Sequence, residues 1–475
     1  MQKCHIMKLH VKQSIVLLSL AIWVTGFTSP VTNKDYKQAV SKNEITHPAW
    51  SRNQTVYELN IRQFTKAGTF KAIEPRLKQL KDMGVGIIWL MPINPIGKKN
   101  RKEPLGSYYS VQNYLKVNPN YGTLSDFKHL VASIHKMGMH VIIDWVANHT
   151  SWDNVLTKTH PEWYKHDKKG NFVSPVKDWT DVIALNYKKT GLRHYMINAM
   201  KYWVQITNID GFRCDVAGMV PIDFWVEARK QLDQVKPVFM LAEAESPKMH
   251  KAFDMTYSWN LYHLFNDIAK GKKKATAIDS VLDNEQAAYP SDAYRMRFTS
   301  NHDENSWNGT VFERLGKGAK AFAVLTFTVK GVPLVYDGQE AGMHKRLKFF
   351  QKDPINWNNN KGHYRKFYSR LIHLKNSNKA LLSGDKGGKM IPLTNSKPQY
   401  VYSFVRHKDG QKVFVITNLS GDTQNITLRS KELSGTYYDL FNGKKATFSN
   451  NQRMTLKPWD YKVFTNSSDY STLSN

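Results

Sequence analysis

From Val56 onward, short apolar runs alternate along the chain with stretches in which apolar residues recur at helical spacing. The apolar runs that predict β-strands are Val56–Ile61, Gly86–Pro92, His140–Val146, Gly211–Ala217, Val238–Glu243, Met255–Trp259, Tyr294–Ser300 and Val332–Tyr336. The amphipathic stretches that predict helices are Ala72–Met83, Ser125–Met137, Leu192–Val204, Phe224–Val235, Ala319–Val329 and Tyr364–Leu374. Strands that alternate with helices indicate parallel β/α units, and eight such strands close a barrel. The pattern therefore predicts a (β/α)8 TIM barrel over residues 48–378.

Two segments depart from this alternation. Segment 149–187, after the third strand, is long and weakly periodic, which predicts a small inserted domain rather than a loop. After about Ser383 the pattern changes to short alternating runs, namely Tyr400–Arg406, Lys412–Asn418, Gln424–Leu428, Thr436–Phe441 and Tyr461–Thr465. Asp409-Gly410 and Asn442-Gly443 supply hairpin turns between some of these runs. We expect a C-terminal antiparallel β-sandwich domain over residues 380–467.

The net charge of +29 on 475 residues is the least ordinary property of the composition. The Lys and Arg residues are spread along the chain, and no zinc-finger or recognition-helix pattern accompanies them, so we expect no nucleic-acid partner. An anionic envelope surface is the charged partner that such a balance favours.

The N-terminus has the pattern of an export signal. Lys3, Lys8 and Lys12 precede an apolar run, Ile15–Phe27, that is too short to span a bilayer comfortably. We interpret residues 1–29 as a signal peptide, with an uncleaved membrane anchor as the alternative. No Cys comes directly after the run, so a lipoprotein anchor is not expected. We therefore expect an exported protein, periplasmic or extracellular, in which Cys214 is the one remaining cysteine.

Carboxylates recur where four of the predicted strands end, at Asp144, Asp215, Glu243 and Asp303. Active sites of such barrels gather at the carboxyl ends of the strands. Alternation puts Arg213 and Asp215 on one face of the fourth strand, where the positive charge favours an ionised carboxylate suited to a nucleophile. Glu243 closes an apolar run, where burial raises a carboxyl pKa and suits a proton donor. A retaining glycosidase needs this division of roles. Buried salt bridges at the barrel rim are the structural alternative.

These segments, in this order, resemble the signature regions of the α-amylase family, glycoside hydrolase family 13, in its secreted bacterial form. The matching stretches are Asp144–His149 (D-x-x-x-N-H), Gly211–Asp215 (G-F-R-x-D), Leu241–Glu243, Asn301–Asp303 (N-H-D), Gly331–Glu340, and Tyr109 together with Tyr121–Thr123. The resemblance covers about residues 50–465 and implies the barrel, the inserted domain and the C-terminal β domain.

The resemblance also implies roles for the matching residues. Asp215 would form a covalent glycosyl-enzyme, Glu243 would act as acid and then as base, and Asp303 would bind sugar hydroxyls as the ring distorts. The residues implied to bind or position the substrate are Tyr109, which would stack on the sugar, His149 and His302, which would hydrogen-bond its hydroxyls, and Arg213, which would orient Asp215. Asp144 would support the architecture of the site. Some of the aromatic residues of the insertion would line outer sugar subsites: Trp152, Trp163, Tyr164 and Trp179.

The chain departs from the family pattern where many members bind a structural calcium. Gly218 and Met219 stand where those members have Lys-His, and Ala184 stands where they have an Asp ligand. Asn148 is the one ligand that remains, whereas a hard-cation site needs six to eight oxygens. We expect no cofactor in the chemistry and an incomplete calcium site at Asn148.

The function implied by the resemblance is hydrolysis of α-1,4-glucosidic linkages in starch-like α-glucans or maltooligosaccharides. One alternative on the same fold is transglycosylation or another α-glucosidic specificity, as in cyclomaltodextrinases and neopullulanases or on α-1,6 linkages. A different class, a non-catalytic glycan-binding protein, is disfavoured because all three catalytic carboxylates are present.

Overall fold

The structure, a computed structural model, describes residues 45–359 and 362–470. The barrel and the insertion occupy the first part of these residues. The predicted signal peptide lies outside the described residues. The strands up to the barrel's end are β1 Val56–Leu59, β2 Ile87–Leu90, β3 His140–Trp145, β4 His149–Ser151, β5 Val182–Ala184, β6 Gly211–Cys214, β7 Phe239–Ala242, β8 Met255–Tyr257, β9 Tyr294–Arg297 and β10 Val332–Tyr336. Eight of them form a closed barrel in the order β1-β2-β3-β6-β7-β8-β9-β10, in which each strand is parallel to its neighbours. The predicted fold class is confirmed.

The helices surround the barrel and connect its strands. Their bounds are α1 Ile61–Phe64, α2 Phe70–Asp82, α3 Leu124–Lys136, α4 Leu156–Thr159, α5 Thr190–Thr207, α6 Ile222–Asp233, α7 Trp259–Ala269, α8 Ala277–Ala288, α9 Val311–Leu315, α10 Ala319–Thr328 and α11 His363–Ser377. Helices α7 and α8, between β8 and β9, were not predicted. Within the described residues, no helix is both long and apolar enough to cross a membrane.

Alternation along each strand separates two layers of core. Side chains such as Val56, Ile87 and Leu241 point into the barrel and pack on one another. The intervening side chains, among them Phe212 and the buried, unpaired Cys214, pack against the helices. Because both faces of a parallel barrel strand are buried, its sequence is a nearly continuous apolar run.

The inserted domain follows β3 and is built on an antiparallel pair, β4 with β5. Two isolated bridges, Tyr164 with Leu185 and His166 with Phe172, extend this small sheet. β4 begins four residues after β3 ends, so the insertion rises directly from the carboxyl end of the barrel.

The C-terminal domain is an antiparallel β structure of two sheets. Its strands are β11 Lys389–Pro392, β12 Thr394–Asn395, β13 Val401–Lys408, β14 Gln411–Asn418, β15 Gln424–Arg429, β16 Gly435–Asp439, β17 Lys445–Phe448, β18 Asn451–Leu456 and β19 Tyr461–Thr465. One sheet has the order β11-β13-β14-β19-β16-β17 and the other β12-β15-β18, with apolar side chains of both sheets packed in one cluster. The Asp409-Gly410 turn joins β13 to β14, and both residues have positive φ, as a tight hairpin turn requires.

Candidate active site

One buried guanidinium organises the carboxylates at the carboxyl end of the barrel. Arg213 Nη1 lies 2.9 Å from Asp144 Oδ1 and 3.1 Å from Asp215 Oδ1. Its Nη2 lies 2.8 Å from Glu243 Oε1. The Arg213 side chain is completely buried, and the ring of Trp89 lies 4.9 Å from its guanidinium carbon. A single cation therefore holds three carboxylates from neighbouring strands.

The backbone ladder of the barrel places Asp215 beside Glu243. The Asp215 N–H donates to the Trp145 carbonyl and the Glu243 N–H donates to the Cys214 carbonyl, each at 3.0 Å. These bonds continue the parallel pairing one residue beyond strands β6 and β7. The two carboxylates are thus fixed by main-chain geometry rather than by a flexible loop.

Burial has more effect on Asp215 than the sequence predicts. Burial raises the pKa of Asp215 well above its ordinary value, the negative charge of Glu243 raises it further, and Arg213 lowers it. Arg213 lowers the pKa of Asp215, the direction that the sequence predicts, but burial and Glu243 together have the larger effect, and the cation is shared among three carboxylates. Burial likewise raises the pKa of Asp144. Burial is therefore the largest influence on the pKa of both Asp215 and Asp144.

Val216, directly after Asp215, has an unusual backbone conformation. Its φ of 37° and ψ of 45° lie in the left-handed region, which is costly for a β-branched residue. In this conformation its N–H donates to Glu243 Oε2 at 2.7 Å. The strained residue therefore holds Glu243 from the side opposite to the Arg213 contact.

His302 lies beneath the site in a buried polar network. Its Nδ1 lies 2.5 Å from Glu58 Oε1, and its Nε2 lies 2.8 Å from the Tyr109 hydroxyl and 3.3 Å from Asp303 Oδ2. Burial opposes a charge on the ring, but Asp303 and Glu58 outweigh it and raise the pKa of His302 to about 9. The Tyr109 hydroxyl in turn donates to Asp144 Oδ2 at 3.0 Å. This raised pKa favours an imidazolium, which links Glu58 in β1 to Tyr109 and Asp303.

His149 has the opposite character. Burial lowers its pKa to about 4, although the Tyr109 backbone opposes the shift. Its Nε2 lies 4.0 Å from Asp215 Oδ2, and its ring meets the ring of Trp179 edge to face. A neutral imidazole beside the nucleophile candidate can donate or accept a hydrogen bond to a ligand hydroxyl.

A cavity of about 430 Å³ opens above these groups. Its lining residues are Lys102, Ser107, Tyr109, His149, Trp179, Asp181, Val182, Asp215, Val216, Glu243, Asp303, Trp307, Phe349 and Phe350. The structure therefore brings the three predicted catalytic carboxylates together with Tyr109 and His149. Two residues grouped with the substrate-binding set, Arg213 and His302, lie beneath the cavity and do not line it, because their polar atoms face buried carboxylates.

Of the four aromatic residues predicted from the insertion, Trp179 lines the cavity. Tyr164 is buried, Trp163 packs on Gly191 and His160, and the Trp152 indole donates to the Thr180 carbonyl. Sequence reasoning missed four lining residues: Lys102, Phe349 and Phe350, which come from loops, and Trp307, which lies in the short helical turn Glu304–Asn308. It also missed Glu58, whose signal is a charged residue inside the apolar run of β1.

The residues around Asn148 do not fit a calcium site. The Asn148 amide nitrogen lies 3.3 Å from His149 Nδ1, and its backbone carbonyl accepts from the Leu185 N–H. Over the described ranges, no group of three or more His, Cys, Asp and Glu side chains is arranged to hold a metal ion. The donors that would complete a hard-cation shell are missing where Ala184 and Met219 stand.

The chain matches the family described as the alpha amylase catalytic domain over residues 39–181 and 157–370, and the alpha-amylase SusG C-terminal domain over residues 401–460. A solved maltogenic α-amylase from Thermotoga neapolitana is 32% identical, with a TM-score of 0.80, and the match covers 88% of this chain and 99% of that one. Alpha-amylase 2 of Dictyoglomus thermophilum is 26% identical over an alignment of 458 residues that covers 88% of this chain and 78% of that protein. Neopullulanase 2 of Thermoactinomyces vulgaris is 24% identical over 505 residues, covering 93% of this chain and 83% of that protein.

Proposed function

The chain belongs to the α-amylase family, glycoside hydrolase family 13, and from this membership we propose that it cleaves α-1,4-glucosidic linkages in starch-like α-glucans or maltooligosaccharides with retention of configuration. The observation that carries the proposal is the shared contact of Arg213 with Asp215 and Glu243, at 3.1 and 2.8 Å, under one cavity. Two carboxyl groups bridged by one guanidinium are expected at the short separation, about 5–5.5 Å, that retaining glycosidases use.

The first step forms a glycosyl-aspartate. An Asp215 carboxylate oxygen attacks the anomeric carbon, the bond to the glycosidic oxygen breaks, and Glu243 gives its proton to that oxygen. In the second step Glu243 takes a proton from water, whose oxygen attacks the same carbon and releases the Asp215 carboxylate. Two inversions leave the anomeric configuration unchanged.

The groups around Asp215 affect its charge during the reaction. Burial and the charge of Glu243 raise the pKa of Asp215, whereas Arg213 lowers it. Positive charge that develops on the sugar beside Asp215 favours the ionised form of this carboxyl group. Asp303, the neutral His149 and Tyr109 face the same cavity and would hold the distorted ring.

The test is product analysis by NMR with amylose, maltooligosaccharides, pullulan and isomaltooligosaccharides. We expect the α-anomer to appear first, and initial release of the β-anomer would contradict retention. Asp215→Asn should lower kcat on the order of 10⁴-fold because the nucleophile is lost. Asp233→Asn is the matched control, since Asp233 also pairs with a buried arginine, Arg229, at 2.7 Å but lies outside the cavity. Equal losses in the two variants would refute the assignment of Asp215.

A second candidate is transglycosylation or cleavage of another α-glucosidic linkage. It is supported by similarity to a maltogenic amylase and a neopullulanase, and by Gly218 and Met219 in place of Lys-His. Products longer than the starting oligosaccharide, or hydrolysis of the α-1,6 bonds of pullulan, would favour this candidate. Products that are always shorter, with pullulan cut at α-1,4 bonds alone, would exclude it.

We also propose that the protein is exported and that its basic charge favours an anionic envelope surface. The N-terminal pattern of residues 1–29 and the net charge of +29 support this. N-terminal sequencing of protein recovered outside the cytoplasm should find the segment removed. Retention on an anionic polymer should fall as salt rises, and salt-independent retention would contradict the electrostatic explanation.

A further inference from the structure

We propose that Lys102 fastens the loop 97–106, here called the β2 loop, across one end of the cavity, so that the enzyme releases short units from the non-reducing ends of its substrates. The inference rests on the proposed glucan hydrolysis and adds the direction and length of substrate that the site accepts.

The contacts of the site indicate how a substrate would be oriented in the cavity. Glu243, which would protonate the leaving oxygen, lies at one end, where it contacts Arg213 and the Val216 N–H. From there, hydrogen-bonded or ionic contacts lead through Arg213, Asp144 and Tyr109 to His302 and Asp303. The leaving part of the substrate therefore lies on the Glu243 side. The part that becomes bound to Asp215, which carries the non-reducing end, lies toward Tyr109.

The β2 loop ends three residues before Tyr109 and stands on this second side. Lys102 Nζ lies 3.2 Å from Asp181 Oδ1 and donates to the Asp178 carbonyl at 3.0 Å, both in the inserted domain. The same ammonium lies 5.9 Å from the centre of the Phe350 ring, which belongs to the loop after β10. Lys102 therefore contacts groups from two other loops, and Lys102, Asp181 and Phe350 all line the cavity.

Further contacts join the β2 loop to its neighbours, and together these loops form a wall at this end of the cavity. The Leu105 N–H donates to the Phe350 carbonyl at 3.2 Å, and the Gln351 amide donates to Glu103 at 2.6 Å. Buried Arg62 donates to the carbonyls of Gly106 and Phe349, at 3.1 and 3.0 Å. The β2 loop is thus joined to the inserted domain on one side and to the loop after β10 on the other.

On the Glu243 side, the described residues at the edge of the cavity are small or exposed. Val216 is followed there by Ala217, Gly218 and Met219, and Met219 is 46% exposed. An acceptor chain can extend over this edge, whereas a chain extending past Tyr109 meets the wall. A substrate that must project beyond the wall on its non-reducing side should therefore bind poorly.

The experiment compares two maltoheptaosides with the same chromogenic aglycone, one with a free non-reducing glucose and one with that glucose blocked by a bulky 4,6-acetal. The wild-type enzyme should cleave the blocked substrate at least tenfold less efficiently in kcat/KM. Lys102→Met keeps the aliphatic part of the side chain but removes the ammonium, and Asp181→Asn removes the charge of its partner. Each variant should loosen the wall, and should therefore lower several-fold the ratio of kcat/KM for the unblocked substrate to kcat/KM for the blocked one. Lys99→Met is the matched control, because Lys99 lies in the same loop over the Trp152 ring and does not line the cavity.

Each outcome bears on a different claim. If the wild-type enzyme has similar kcat/KM values for the two substrates, the claim that the cavity is closed on its non-reducing side is wrong. A wild-type preference that neither Lys102→Met nor Asp181→Asn changes, with both variants folded by thermal unfolding, overturns the role of Lys102. Failure to cleave either substrate, together with amylose and shorter maltooligosaccharides, would refute the proposed function itself and is distinguishable from both.

Discussion

Replacement of Glu58 by Gln tests whether a charge beneath the cavity depends on the first strand of the barrel. Glu58 is completely buried in β1, and its Oε1 lies 2.5 Å from His302 Nδ1. Burial alone would keep this imidazole neutral, but Asp303 and Glu58 raise the pKa of His302 to about 9. Glu58→Gln keeps the shape and a hydrogen-bond acceptor while it removes one of the two negative charges.

The size of the effect follows from linkage. A rise from the ordinary 6.5 to about 9 corresponds to roughly 3 kcal/mol of stabilisation of the folded, protonated form. Because the folded-state pKa lies above the unfolded one, this contribution is complete below about pH 6.5 and is lost as pH rises through about 9. Glu58→Gln should lower the pKa of His302 by at least about one unit and move this loss of stability to lower pH.

The assay is NMR titration of the His302 ring between pH 5 and pH 10, with thermal unfolding over the same range. Glu304→Gln is the control, because Glu304 is a buried carboxylate two residues from His302 that bonds Tyr262 and Asn308 instead. If His302 of the wild type titrates near 6.5, or if Glu58→Gln leaves its pKa near 9, the electrostatic argument is wrong.

Three further predictions follow from the same contacts. Arg213→Met should lower the free energy of unfolding by about 3–5 kcal/mol and abolish turnover, because the buried Asp144 and Asp215 and the partly buried Glu243 lose their shared cation. A thermal midpoint equal to that of the wild type would contradict this. Trp307→Ala should raise KM several-fold while stability changes by less than about 0.5 kcal/mol, since this cavity-lining ring is 48% exposed; an unchanged KM would remove Trp307 from the substrate surface. Treatment with a chelator should leave the thermal midpoint and kcat unchanged, because the donors around Asn148 do not form a hard-cation shell; calorimetry that shows a drop on chelation and recovery with calcium would overturn that expectation.

The eight barrel strands could be predicted because their burial is repetitive. A strand covered on both faces has an apolar run, and that signal does not depend on which neighbours cover it. Strands β11, β12, β17 and β18 gave no such signal, since most of their side chains are exposed or half-buried, as in Asn451–Leu456. Helix α7 was missed because its aromatic first turn continues the apolar run of β8.

The aromatic and positively charged residues that line the cavity could not be predicted from the sequence, for a different reason. Lys102 and Phe350 are far apart along the chain and belong to loops, where no periodic pattern reports packing. Trp179 and Trp163 both follow an acidic residue in the insertion, yet one lines the cavity and the other packs between His160 and helix α5. Which of them faces a ligand is decided by how the insertion rests on the barrel.

The order of the β/α units, the strand ends at which Asp144, Asp215 and Glu243 stand, and the shared face of Arg213 and Asp215 could all be read from the chain before its fold was known. These depend on alternation and on local runs, which are written along the chain. The positions of Arg213 and His302 beneath the cavity, and the large effect of burial on the pKa of Asp215, become visible only in the folded molecule. The physical reason is that solvent exposure and electrostatic potential are sums over every group that surrounds a side chain. For His302 the two groups that raise the pKa are its neighbour Asp303 and Glu58, which is 244 positions away.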